Sequence, residues 1–345
     1  MTHRFPIKEI ARQAGLGTAT VDRVLNGRAH VSPQTRNRVG AALRELAAQE
    51  QQLAARGRRL FVDVVVEAPR RFSAEIRRAA DTILPSLAGA VIRPRFFMQE
   101  VMTETDVVAC LARIQKRGSQ AVCLKARDTA PVRDMVNRLG AAGIPVFTLV
   151  TDITGTDRQA YIGLDNTNAG RTAAYLLARG LPGSQGTVLT SRSQESFLGE
   201  TERYKAFRAL FGQLKPGHDI VDVSGAGGLS GDTERQLAGL LQGIDRVSAV
   251  YSMGGGNAAI RKALADHGQA PTVYIAHDLD AENRRLLDDG AIDFILHHDL
   301  EADMRALFGA VASYHRLTPA TATRLLSDVQ VITPHNLPAR SDRAS

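Results

Sequence analysis

The sequence predicts an α/β protein built from a small, all-α helix-turn-helix head and a larger, two-lobed, Rossmann-like α/β body. Three observations lead there. The chain carries 43 Lys and Arg against 36 Asp and Glu, a formal charge of +7. Eleven of the bases and only four of the acids fall in residues 1–59, so the remainder is neutral. Helical spacing dominates that basic stretch, whereas from Leu60 onward short β-branched runs alternate with amphipathic segments. The alternation restarts after Gly180-Leu-Pro-Gly-Ser-Gln-Gly186. At 345 residues the chain has room for two or three folding units, and 44% hydrophobic with 23% charged residues excludes wholesale disorder. A basic module joined to a neutral body suggests a polyanion partner for the first.

In the head, Ile7, Ile10, Ala11 and Ala14 recur at helical spacing until Gly15-Leu16-Gly17 interrupts them. A second helix fits Thr18 to Leu25, with Val21, Val24 and Leu25 on its apolar side, and Asn26-Gly27 stops it. Ser32 is suited to cap a third helix that has Pro33 at its first position and Val39, Leu43 and Leu46 on its inner face. Two short helices joined by a tight glycine turn, with a third packed on them, describe a helix-turn-helix, whose second helix enters the major groove.

In the body, strands are expected at 60–66, 91–97, 121–124, 145–149, 161–163, 186–190, 220–224, 249–252, 272–276 and 291–296. Helices are expected between them at 74–84, 104–117, 131–142, 168–178, 201–211, 232–241, 257–266, 281–289 and 301–314. Strict alternation of this kind makes βαβ units and parallel sheets, and about ten strands divide more comfortably into two sheets than one.

Ile7-Lys-Glu-Ile-Ala-Arg-Gln-Ala-Gly-Leu16, then Thr20-Val21, Arg23-Val24-Leu25-Asn26-Gly27 and Val31-Ser32-Pro33-Gln-Thr-Arg36, resembles the DNA-binding head of the lactose-repressor (LacI/GalR) family of transcriptional regulators. The resemblance implies that Thr18, Ala19 and Arg23 face bases, with Arg23 suited to a bidentate contact on guanine. It implies that Thr20, Asn26, His30, Ser32 and Thr35 meet phosphates. Three departures stand out. Gly17 replaces the usual hydroxyl cap. Asp22 stands where a small hydroxyl residue is usual, and should pair with Arg23, Arg28 or Arg38, or accept from a cytosine amino group. The Tyr-x-Pro-Asn stretch after the third helix is missing. In the family a hinge helix then wedges a leucine into the minor groove; here Leu53 could serve, or residues 48–59 could be a plain helical linker.

More loosely, Gly143-Ile-Pro-Val146, Asp165-Asn166 with Ala169-Gly170, Arg203 before Phe207, and Ala276-His277-Asp278 resemble the type I periplasmic-binding-protein fold of the family's effector domain. The implied organisation is a DNA-binding head at 1–47, a hinge at 48–59, an effector and dimerisation domain at 60–338, and a tail at 339–345. Lobe 1 is expected at about 60–160 and 292–325, and lobe 2 at about 166–290 and 328–338. Crossings are expected near 161–166, near 278–285 or just beyond, and before a last strand at 328–332.

Ligands of α/β sheets bind beyond the carboxyl ends of strands. Candidate effector-binding residues at such ends are Phe72, Lys125, Asp152, Arg203, Gly254, Gly255, Asn257, Asp278 and His297. Carboxylates and guanidinium groups hold vicinal hydroxyls in pairs, and an aromatic face meets the C–H side of a sugar ring. Asp152 and Lys125 read equally well as ion-paired residues, Ser252-Met-Gly-Gly-Gly-Asn257 as a tight turn, and His277 and His298 as packing histidines.

The expected function is sequence-specific transcriptional regulation, most simply repression, by a homodimer or tetramer on double-stranded operator DNA, controlled by a sugar, polyol or sugar phosphate. A sugar-binding protein without a transcriptional role would not need the basic head. An enzyme acting on a sugar would need motifs the sequence lacks: there is no nucleophile elbow, phosphate loop or metal spacing, and Gly225-Ala-Gly-Gly228 does not complete a dinucleotide fingerprint. No catalytic residue, metal or cofactor is expected. The first ten residues turn charged too early for a signal peptide, so a cytoplasmic location is expected. Cys110 and Cys123 read as buried thiols.

Overall fold

The computed structural model describes residues 5–28, 31–55, 59–87, 90–183, 185–225, 227–318 and 325–338. These fall into two compact units, a helical head and a body that holds both sheets.

The head consists of α1 (Ile7–Ala14), α2 (Thr18–Leu25) and α3 (Pro33–Ala55). Ile10, Ala11, Ala14, Val21, Val39, Ala42 and Leu46 form its core. α1 ends at Gly15 in the left-handed conformation, where Arg38 donates to the carbonyls of Ala14 (2.8 Å) and Gly15 (3.2 Å). Ser32 caps α3 by accepting from the Thr35 amide at 3.1 Å. Gly17 precedes α2 without any side-chain cap. The expected hinge at 48–59 is not a separate helix. Residues 48–55 continue α3 without a break, because Ala-Gln-Glu-Gln-Gln-Leu-Ala-Ala offers only good helix formers and no Gly or Pro to stop them. Arg56 and Arg58, and the tail from 339, lie outside the described residues.

The body opens with β1 (Arg59–Glu67), α4 (Arg70–Ile83), β2 (Val91–Gln99), α5 (Glu104–Arg117), β3 (Ala121–Lys125), α6 (Ala130–Ala141), β4 (Val146–Leu149) and β5 (Ala160–Leu164). It continues with α7 (Asn166–Gly180), β6 (Gly186–Arg192), α8 (Leu198–Leu214), β7 (His218–Ser224), α9 (Ser230–Leu241), β8 (Val247–Ser252), α10 (Asn257–Asp266), β9 (Val273–His277), α11 (Ala281–Asp288) and β10 (Phe294–His297). Last come α12 (Leu300–Tyr314), β11 (Leu326–Ser327) and β12 (Gln330–Ile332).

Two six-stranded sheets result, ordered β11-β5-β4-β3-β1-β2 and β12-β10-β9-β8-β6-β7. β1 to β5 and β6 to β10 repeat one topology, each closed by a short strand from the chain's return. All described ladders are parallel except β10 with β12. Parallel strands are buried on both faces, and neighbouring residues serve opposite layers. Leu189, Val250 and Tyr274 join the layer with α9 and α10, while Val188, Ala249 and Ile275 join the layer with α7 and α8.

The alternation expected from sequence is present, but two lobe boundaries need correction. The strand expected at 291–296 does not return to the first lobe; β10 pairs with β9, Ile295 opposite Ala276, and completes the second sheet. The crossing expected near 278–285 or just beyond therefore lies further on, after β10, because 278–285 only leads into α11, the connection between two parallel neighbours. The crossings after β5 and before β12 fall where expected.

Candidate functional site

In the head, Thr18, Ala19 and Arg23 are exposed on α2, opposite Val21, which is completely buried. Asn26 and Ser32 are exposed, and Thr20 and Thr35 are half-buried. Asp22 takes one of its expected partners, Arg28, at 3.7 Å, and accepts from the Asn26 amide at 2.8 Å. Part of the hydrogen-bonding capacity of Asn26 is thereby directed inward, and Ser32 and Thr35 share a 2.8 Å bond. His30 and the side chain of Leu53 lie outside the described residues.

In the body, a cleft of about 720 Å³, including its open mouth, lies at the carboxyl ends of both sheets. Of the expected effector residues, Phe72, Lys125, Arg203, Gly254, Gly255 and Asp278 line it. Three do not. Asp152 turns into its own lobe, where it accepts from Thr148 at 2.6 Å and pairs with Arg158. Asn257 sits behind the wall, completely enclosed between Asn283 (2.7 Å) and Tyr274 (3.0 Å). His297 faces a second, larger cavity and accepts from the Leu279 amide at 3.2 Å; burial, with His298 adding to it, holds its imidazole down at about 4.

The cleft is organised around side chains held from behind. Arg203, on α8, is 3% exposed and donates through Nε to Asn166 at 2.7 Å. Asn166 in turn donates to the Tyr161 hydroxyl (3.1 Å), which reaches the carbonyls of Val150 and Leu164. This chain of bonds runs through the β5–α7 crossing and fixes the guanidinium. Gly170 makes the position possible, since a Cβ there would overlap the Arg203 carbonyl and hold α7 and α8 apart.

Asp278, directly after β9, has φ of 67°, and so does Val150, directly after β4. Both residues line the cleft at equivalent places in the two sheets. A left-handed valine costs about 1–3 kcal/mol, and strain of that kind collects at functional sites. Burial alone would raise the Asp278 carboxyl, yet His298, Arg203 and His277 hold it well below the usual carboxylate range. His298 is enclosed between Asp303 (2.5 Å) and Asp278 (3.5 Å); burial works against its charge, but the two carboxylates prevail and push it up to about 9. His277 is buried too, bonds the Tyr251 hydroxyl at 2.8 Å, and burial holds it neutral.

Sequence reasoning missed Arg71, Glu67, Phe197, Glu200 and Asp280. Arg71, on α4, reaches across the cleft to Asp280 (2.9 Å) and to the Gly228 carbonyl (3.1 Å), a residue 157 positions away. It lies against Gly255, which has φ of 88° and where a Cβ would overlap the guanidinium. The triple glycine is thus more than a turn, since it admits an arginine from the other lobe. Pro69-Arg70-Arg71 opening a helix after the first strand was the available signal, but nothing local shows which arginine turns inward.

The family description "Periplasmic binding protein domain" matches residues 103–312, and "Bacterial regulatory proteins, lacI family" matches residues 6–47. The chain is 29% identical over 175 residues to the HTH-type transcriptional regulator GalS of Salmonella typhimurium, covering 50% of this chain and 49% of that protein. It is 32% identical over 126 residues to the HTH-type transcriptional regulator TreR of the same organism, covering 36% and 39%. The chain therefore spans half or less of the length of these curated relatives. Among solved structures, an ABC transporter solute binding protein from Burkholderia graminis, in complex with D-arabinose, superposes with a TM-score of 0.71 at 18% identity. That match covers 80% of this chain and 96% of the other, and shows the shared fold. The chain belongs to the periplasmic binding protein domain family and carries, ahead of that domain, the helix-turn-helix head of the bacterial regulatory proteins of the lacI family.

Proposed function

We propose that this protein is a cytoplasmic, homodimeric transcriptional regulator of repressor type, in which residues 1–47 bind operator DNA and the body senses a small polyhydroxylated effector. One observation carries the reading: a lacI-family head with Thr18, Ala19 and Arg23 exposed on its second helix is joined to a two-lobed body with a polar cleft. Arg23 reads a guanine, Thr20, Ser32 and Thr35 hold phosphates, and Asn26 does so with the capacity that Asp22 leaves free. Phe72, Lys125, Arg203, Gly254, Gly255 and Asp278 form the effector site, together with Arg71, Glu200 and Asp280. An effector that prefers one arrangement of the lobes shifts the body's equilibrium, and that preference is what the paired heads respond to. The protein acts by binding in this reading, with no catalytic step.

Selection of duplexes from a random library, followed by titration at several salt concentrations, tests it. The expected result is a near-palindromic site bound with a log–log salt slope of roughly −5 or steeper. Arg23→Ala should relax preference at one base pair per half-site by about 1–3 kcal/mol. Salt-insensitive binding, or an equal loss on every duplex, would contradict the assignment.

A further inference from the structure

We propose that Thr151, on the first lobe, is a positioning residue of the effector site: it caps the N-terminus of α8 from across the cleft, and so ties the placement of Glu200 and Arg203 to the approach of the two lobes. This deepens the regulator reading above and rests on it for the role of the cleft.

The first amides of a helix have no partner within it, and a side-chain oxygen on the residue just ahead usually meets one of them. Phe197 stands at that place before α8 and offers none. The Gly199 amide donates instead to the hydroxyl oxygen of Thr151 at 3.1 Å, a residue 48 positions earlier in the chain and 3% exposed. Just ahead of the helix, the Ser196 carbonyl accepts from the Asp128 amide at 2.9 Å, again from the first lobe. The start of α8 is thus bonded to the opposite lobe through its main chain on both sides of Phe197. Glycine permits the approach, since a Cβ at 199 would stand 3.0 Å from the Val150 carbonyl oxygen and 3.0 Å from the Asn166 amide nitrogen.

The turn that presents Thr151 is a strained one. Its amide donates to the Leu149 carbonyl at 2.7 Å, two residues back, with Val150 at φ of 67° between them. This is the rare, left-handed form of γ-turn, unfavourable for a β-branched residue. The first lobe pins it: the Val150 amide donates to the Ile162 carbonyl (2.9 Å), and its carbonyl accepts from the Tyr161 hydroxyl (3.1 Å). Strain persists where the surroundings over-determine it, and here it aims a hydroxyl at a helix of the other lobe. At the equivalent place in the second lobe, the left-handed Asp278 is followed by Leu279, whose side chain has no hydrogen-bonding group. Glu200 and Arg203 stand one and four residues beyond Gly199 and line the cleft. Asn166, against which Gly199 packs, accepts from Arg203 at 2.7 Å. Drawing the lobes apart therefore uncaps α8 at the turn from which both side chains project.

The test uses the full chain without effector or DNA. Hydrogen exchange read by mass spectrometry should show the first turn of α8, residues 198–201, exchanging roughly tenfold faster in T151V, whose side chain keeps the shape but accepts no hydrogen bond. T151S should retain wild-type exchange, and the later turns, residues 205–214, should hold in both. Spin labels on Ala112→Cys in α5 and Ala238→Cys in α9, exposed positions of the two lobes, report lobe separation, the native Cys110 and Cys123 being buried. T151V should enlarge the population with separated lobes, and T151S should not. G199A strikes the same contact from the other side and should act like T151V, which keeps the test decisive if T151V does not fold. Unchanged exchange, equal effects of T151S and T151V, faster exchange throughout the body, or faster exchange with unchanged label separation would each overturn the inference. Failure of the regulator reading shows separately, as the absence of any selected operator.

Discussion

The two lobes of the body repeat one topology yet furnish their strand ends differently. β3 ends in the buried cation Lys125, while its counterpart β8 runs into Met253 and three glycines. β4 is followed by Val150 and β9 by Asp278, both left-handed. The first lobe sends Arg71 across the cleft, and the second receives it on Asp280 and Gly255. A duplicated scaffold therefore fixes where groups can stand, and the choice of residue at each equivalent place decides what the cleft recognises.

The comparison can be broken at its strongest point by Asp278→Asn, which keeps a residue tolerant of the left-handed conformation but removes the charge. It should weaken effector binding by roughly a hundredfold, measured by calorimetry, whereas Val150→Asn should alter it by less than about tenfold. Equal losses would mean that the backbone at the two places matters more than the carboxylate.

Next in size is a pH effect centred on His298, which directly follows β10. The His298 imidazole is raised in the folded protein to about 9, so its contribution is complete below the ordinary histidine range and is lost as pH rises through that value. Stability should fall by on the order of 2–3 kcal/mol between pH 7 and 10, and urea midpoints should show it. His298→Asn should flatten that slope; an unchanged slope would place the titrating group elsewhere.

Arg71→Ala removes the bridge between lobes and should reduce effector affinity by about tenfold, since a partly exposed ion pair with one further hydrogen bond is worth on the order of 1–2 kcal/mol. Operator affinity without effector should not change. The smallest effect is expected for Val150→Gly. Relief of about 1–3 kcal/mol of backbone strain should nearly offset the lost apolar burial, of about 1.5–3 kcal/mol. Val122→Gly, in the fully buried interior of β3, has no strain to relieve and should lose more than about 3 kcal/mol by urea denaturation.

Legibility followed the range of the interactions. Head helices, caps and the recognition surface depend on residues a few positions apart, and Ser32, Gly15 and Val21 do what their spacing implies. Alternation fixed the strands and helices of the body, but sheet membership is non-local, which is why β10 was expected in the wrong lobe. In the cleft, Asp152 and Lys125 look alike in sequence, each a charged residue just beyond or at a strand end. Arg158, close by in the chain, folds back onto Asp152, while Lys125 meets no carboxylate among the described residues. Arg71 escaped notice because its partners come from the other lobe.

The arginine that spans the cleft also couples its width to a bond. Any movement that draws α4 away from Asp280 and the Gly228 carbonyl breaks one ion pair and one hydrogen bond, so the two sides of the cleft separate only at that cost.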